Sequence, residues 1–232
     1  MKTTDTSLGN SPFNANRDKA EYVGYMYTIG EQHGTSKSSD IKTYLEDWYA
    51  NYTDLNKTGT KITDQIYCND RTASTSNVAY STTNYTTLTS WNSTGTQYYY
   101  GAYGRIAKDN NPMLTCAVDS DRFTVNKING KGNSALTYPT GLITIDEVEM
   151  AGGLNGYRNN SYYLYTNQAY WLGSPNSFFS SNSEAREFAV GSSGILGTDD
   201  VSYDIGARPV VSLSSDAKLL GSGTYNDVYT VN

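Results

Sequence analysis

Apolar side chains return at helical spacing in only two stretches of this chain; elsewhere they alternate or cluster in short runs broken by Ser, Thr, Asn and Gly. Ile41, Tyr44, Leu45 and Trp48 share one face of a helix predicted over 38–52, with Ser38 or Ser39 as N-cap and Asp40 near its positive end. A second helix is predicted over 144–152. There Thr144 and Glu147 form a capping box, Gly152-Gly153 is the stop, and Ile145, Val148, Met150 and Ala151 supply the apolar face.

The remaining apolar runs have the period and length of strands. Between Glu21 and Ile29, Tyr22, Gly24, Met26 and Thr28 alternate with Val23, Tyr25, Tyr27 and Ile29. Asp64–Asp70, Tyr98–Ile106, Asp121–Val125 and Leu136–Pro139 are shorter extended pieces, the last two around a Gly-rich turn at 129–133. Tyr170-Trp171-Leu172 is an aromatic strand that Gly173 and Pro175 are expected to stop. Glu187–Gly197 has the pattern of a hairpin turning at Ser192-Ser193-Gly194. Ile205–Leu213 is taken as the stretch that organises the chain. Its Val210, Val211 and Leu213 are expected to be buried on at least one face, and Pro209 is restricted to its start or edge. A last strand is placed over 225–231.

Residues 1–18 lack periodicity and are expected to form a loose arm before a single domain over 19–232. Residues 71–97 are expected to be a long surface excursion. Two helices among many short strands predict an α+β fold with an antiparallel sheet.

Composition narrows the function. Only 37% of the 232 residues are hydrophobic, yet 22 are Tyr, which argues for a folded chain with wet aromatic surfaces rather than disorder. The net charge of −6 and the absence of any Lys/Arg run disfavour nucleic acid and direct membrane contact. Cys68 and Cys116 fit one disulfide in an extracellular or cell-surface protein; the alternative is two separate buried thiols. No apolar leader follows Met1, so either the protein is intracellular or Met1 is an introduced start and the native leader has been removed; the composition favours the second.

Candidate chemistry is sparse. His33, the single His, lies in a Gly-flanked loop without a second His or a Ser/Asp context, and is expected to be solvated. Asp146, Glu147 and Glu149 suit helix capping better than acid/base work. Asp199, Asp200 and Asp204 fit a soluble hairpin loop, and Gly191–Gly197 lacks the Lys of a phosphate loop. No metal and no cofactor is expected. Trp48 and Trp171 are assigned to the core. Arg208 is expected to be buried at a strand entrance and paired with Asp204, Glu147 or backbone carbonyls.

Several segments together resemble a known class: Glu21-Tyr22-Val23-Gly24-Tyr25-Met26-Tyr27, Trp48-Tyr49, Cys68-Asn69-Asp70-Arg71, Gly141-Leu142-Ile143, Asp146-Glu147-Val148, Tyr170-Trp171-Leu172-Gly173-Ser174-Pro175 and Gly206–Leu213. They look like the extracellular domain of prepilin-like surface proteins of gut Firmicutes and their phages. They are also similar to the wider C-type-lectin-like class, which includes formylglycine-generating enzymes and the variable proteins of diversity-generating retroelements. The first resemblance spans nearly the whole chain; the second rests on about Gly141 to Leu213.

The class implies a rigid scaffold that displays a tolerant surface near its C-terminal end, and Tyr157–Asp204 has the Asn, Ser, Tyr and Asp content of such a diversified region. Formylglycine chemistry has no residues to stand on, because no Cys follows Cys116. Ser174-Pro175-Asn176 and Trp91-Asn92-Ser93 lack the carboxylates of Ca²⁺-dependent lectin signatures. The expectation is a non-enzymatic domain that binds a protein or glycan on another cell or surface. Its predicted contacts are Asn176, Ser177, Phe179, Ser181, Asn182, Glu184, Arg186, Asp199, Asp200, Ser202, Tyr203 and Asp204, held by Trp171 and Arg208. The alternative is a structural subunit of a pilus-like fibre.

Overall fold

The computed structural model describes residues 6–52, 61–74, 97–222, 224, 227 and 229–231. Trp91 and most of the predicted 71–97 excursion lie outside the described residues, as does part of the predicted last strand. The architecture is α+β, dominated by short strands. In chain order these are β1 (Asn10–Ser11), β2 (Met26–Tyr27), β3 (Lys37–Ser38), β4 (Ile62–Thr63), β5 (Tyr67–Cys68), β6 (Gln97–Tyr99), β7 (Arg122–Phe123) and β8 (Leu154–Asn155). They continue as β9 (Tyr170–Phe179), β10 (Glu184–Val190), β11 (Ile195–Asp200), β12 (Ile205–Gly206), β13 (Ser212–Leu213), β14 (Leu219–Leu220) and β15 (Thr230–Val231).

The central sheet runs β1-β12-β9-β10-β11-β8, and β6 pairs with the far end of β9. Its middle is apolar on both faces. Along β9 and β10, Trp171, Ala185 and Ala189 enter one core with Phe13, Ile41, Leu45 and Phe123. Tyr170, Leu172, Phe188 and Val190 enter a second core with Ile145, Val148 and Leu196. Alternating side chains therefore meet apolar partners whichever way they point, and no apolar/polar alternation marks these strands in the sequence.

Pro175 does not end the strand as expected. β9 continues through it to Phe179, and the ladder slips on either side of Glu187, the residue opposite Pro175. A bulge is where a residue without an N–H can sit inside a sheet. The β10–β11 hairpin is as predicted: Gly194 takes φ +77°, and a side chain there would run into the Asn159 carbonyl.

Residues 6–18 are not a loose arm. β1 pairs with β12, Phe13 is fully buried edge-on to Trp171 at 5.9 Å, and the Trp171 indole N–H donates to the Ser11 carbonyl at 2.8 Å. Ile205–Leu213 is not the organising strand either. It breaks into β12, a single bridge from Val210 to Gly141, and β13 against β4, with Val210, Val211 and Leu213 only half-buried. The predicted 21–29 strand begins instead as a buried 3-10 turn, Ala20–Val23, before β2. Tyr98–Ile106 is extended only to Tyr99, then coils into α2 (Gly101–Tyr103) and a π-turn over Gly104–Asp109.

The two longer helices follow their caps. The first, α1 (Asp40–Asn51), has the Ser39 hydroxyl accepting from the Lys42 N–H, and buries Ile41, Leu45 and Tyr49; Trp48 is only half-buried against Tyr49 and Tyr52. In α3 (Ile145–Met150) the Thr144/Glu147 capping box is complete, though Met150 ends up exposed. Cys68 and Cys116 form a disulfide. Among the described residues, no helix is long and apolar enough to cross a membrane.

Candidate ligand-binding surface

The two predicted contact segments meet at one end of the central sheet. Arg186 lies opposite Asp200 and Glu187 opposite Asp199, so residues 184–186 and 199–200 are neighbours in the ladder. The adjoining turn brings Ser202 to Asp200, whose carboxylate accepts from both the N–H and the hydroxyl of Ser202.

Burial divides the predicted contacts into two sets. Asn176, Ser177 and Asp200 are buried and cannot touch a partner, which corrects their assignment. They are supports: the Asn176 carbonyl accepts from the Tyr100 N–H, its side-chain oxygen accepts from the Ser177 hydroxyl, and Asp200 pairs with Arg17. Ser181, Asn182, Tyr203 and Asp204 are exposed, while Phe179, Glu184, Arg186, Asp199 and Ser202 are half-buried.

The half-buried set is internally braced. The Arg186 guanidinium stands over the Phe179 ring at 5.3 Å and donates to Glu184 at 2.7 Å, and Tyr99 meets Phe179 edge-on at 6.0 Å. Burial pushes the Asp199 carboxyl up, although the charge of Arg186 opposes the shift. The sequence reading missed Arg17, because it fell in the supposed arm. Arg17 is held by Asp200, and Glu184 and Tyr203 also bear on it electrostatically, so it sits where the two segments converge. Its backbone carbonyl accepts from the Ala185 N–H.

Trp171 is fully buried, as expected. Arg208 is half-buried rather than enclosed; it donates to the Thr6 carbonyl at 3.2 Å and stands over the Tyr170 ring at 5.2 Å.

A second polar constellation lies elsewhere and also went unread. Arg71 and Asp121 form a buried pair at 2.6 Å, and Arg71 donates further to the carbonyls of Met26 and Gly34. His33 is not a solvated loop residue; its ring Nδ1 is 2.9 Å from Asp121. Nearby charge also acts on Glu187, fully buried on β10, where neither carboxylate oxygen has a hydrogen-bond partner. Burial pushes its carboxyl far up, with Arg71 opposing. Among the described residues, no three His, Cys, Asp or Glu side chains come together as a metal site. No protein family, curated protein or solved structure matches the chain.

Proposed function

We propose that the chain is a surface-displayed binding domain of C-type-lectin-like organisation, which recognises a protein or glycan through the polar end of its central sheet. The supporting observation is the sorting of side chains there. Asn176, Ser177 and Asp200 are buried and hydrogen-bonded at the same end of the sheet as Ser181, Asn182, Arg186, Tyr203 and Arg17, which reach solvent. A rigid floor under rotatable polar and aromatic groups suits adaptable recognition. The disulfide supports an extracellular setting. Diversification across Tyr157–Asp204, as the resemblance implies, would have to spare the buried runs of β9 and β10.

The test is a glycan-array and cell-surface-protein screen of the intact domain, repeated with Asn182, Arg186 and Tyr203 replaced by Ala. The reading expects a ligand that the triple variant loses while its melting temperature holds. A ligand bound equally by both would overturn it.

The fibre-subunit reading draws on one other observation. The β14–β15 hairpin leaves Leu219, Leu220 and Val231 exposed, apolar surface that a neighbouring subunit could cover. Concentration-dependent assembly abolished by Leu220→Asp would favour that reading.

A further inference from the structure

Regular pairing between the two middle strands fails at one place. Arg186 and Glu187 are consecutive on β10 but face Ser177 and Pro175 on β9, so Asn176 is skipped. From there, two steps along β10, to Ala189, match four along β9, to Trp171. Pro175 has no N–H to give the ladder. The same place gathers buried polar atoms with no hydrogen-bond partner among the described residues: both carboxylate oxygens of Glu187 and the Asn176 side-chain nitrogen. Glu187 has no exposed surface and Asn176 only 2%. Buried groups left unpaired favour any conformation that gives them water.

Glu187 makes such an opening depend on pH. The elements packed against β10 are β9, β11 and the Ala20–Val23 turn. Their titratable groups are Tyr170 at the far end of β9, Asp199 and Asp200 on β11, and Glu21 and Tyr22 in the turn. Asp200 is paired with Arg17, and Glu21 accepts from the Gly30 N–H. On β10 itself Glu184 and Arg186 pair with each other. Of the charges around Glu187, Arg71 is the one that acts on it, and Arg71 is bound to Asp121. Burial outweighs that attraction and pushes the Glu187 carboxyl far up, so the closed sheet takes the neutral acid. Once opened to water, the carboxyl regains ordinary glutamate behaviour and ionises. Above the ordinary glutamate range, each pH unit therefore favours the open form by about tenfold, until the raised value of the closed form is reached.

We infer that the β9–β10 bulge is a pH-sensitive opening point: ionisation of Glu187 parts the two strands there and loosens the end of the sheet that bears Ser181, Asn182 and Arg186. That loosening weakens ligand capture if the proposed function holds; the opening itself does not rest on that reading.

The experiment is amide hydrogen exchange, followed by NMR on the intact, disulfide-bonded chain between about pH 5.5 and 7.5, where closing outruns chemical exchange. It needs no ligand, so a failed ligand screen leaves its result standing. The reporters are the Tyr100 N–H, bonded to the Asn176 carbonyl, and the Ala185 N–H, bonded to the Arg17 carbonyl. Base-catalysed exchange alone rises about tenfold per pH unit and the linked opening adds a second factor of about ten, so both reporters should speed up about a hundredfold per unit. They should also exchange faster than the Leu45 amide, fully buried in the middle of α1. In Glu187→Gln, which mimics the neutral acid, the rise should fall back to about tenfold per unit. A rise of only about tenfold in the unaltered chain would overturn the inference. So would a hundredfold rise that survives Glu187→Gln, which assigns the proton to another group such as Asp199. Reporters no faster than Leu45 would make the opening global unfolding and overturn it too.

Discussion

The central sheet and the region that Cys68–Cys116 staples internally solve the same folding problem by different means. The sheet is held by apolar side chains on both faces, Trp171 and Phe13 on one and Tyr170, Leu172 and Phe188 on the other. The region around 67–74 and 100–141 has little regular structure; it lends Tyr67, Tyr100, Phe123 and Leu136 to the apolar core, but its irregular connections are held by buried polar pairs. There Asn69 accepts from the Tyr25 N–H and donates to the Val23 and Gly173 carbonyls, Arg71 grips Asp121, and Arg105 spans Asp70 and Asp146. The difference shows how a chain with few hydrophobic residues still orders long irregular connections. Side chains such as Asn69 and Arg71 satisfy backbone groups that no ladder reaches. Such a network is an exacting way to hold a loop, because removing one member strands the others in a dry interior.

That contrast is broken most directly at Arg71. Arg71→Ala leaves Asp121 buried without its main partner and is expected to cost about 3–5 kcal/mol in a denaturant melt. Replacing Arg71 and Asp121 together by apolar residues should cost less than the single change; a cost equal to or above it would mean the pair is not what organises the region. Trp171→Ala tests the sheet in the same way, with an expected loss of about 3–5 kcal/mol from the cavity it leaves and the freed Ser11 carbonyl. Reduction of Cys68–Cys116, which are 48 residues apart, should lower stability by about 4 kcal/mol on the chain-entropy argument. Hydrogen exchange should locate that loss in the polar region while the β9–β10 amides stay protected.

Glu187 sharpens the comparison, because it is a polar group without partners inside the apolar region. Its folded-state pKa is raised by burial, opposed by Arg71, so the neutral acid is the form that suits the fold. Its contribution is therefore whole below the ordinary glutamate range, and declines as pH rises from there towards the raised folded value. Glu187→Gln should stabilise the protein at neutral pH and remove that part of the decline. An identical pH–stability curve for the two proteins would contradict the assignment. The smallest effects belong to the proposed recognition face. Asn182→Ala and Tyr203→Ala are exposed changes, each expected to shift stability by under about 0.5 kcal/mol.

What the sequence disclosed was mostly local. The Ser39 cap, the Thr144/Glu147 box and the Gly194 turn are written in neighbouring residues, and each is present. What it concealed depends on residues far away in the chain. Pro175 looked like a strand end because the bulge that accommodates it is made with Glu187, on the next strand. Residues 10–13 carry no periodic signal, yet β12 and Trp171 give them a place. Ile205–Leu213 looked central because it is apolar, but Val210 and Val211 are only half-buried and Val210 makes a single bridge, to Gly141. Of the predicted contacts, Asn176, Ser177 and Asp200 have the composition of a recognition loop and the burial of a floor, a distinction composition does not carry. Arg17 left no local signal, because its partner Asp200 is 183 residues further along the chain.

The central claim is that the polar end of the sheet binds while the residues beneath it only support. The most direct measurement is saturation mutagenesis of Asn176–Asp204 on displayed protein, sorted once for folding and once for the ligand recovered by the screen. The account predicts that substitutions at Ser181, Asn182, Arg186 and Tyr203 remain folded and lose the ligand, whereas those at Asn176, Ser177 and Asp200 lose both together. Binding that survives every folded substitution in this segment would contradict it.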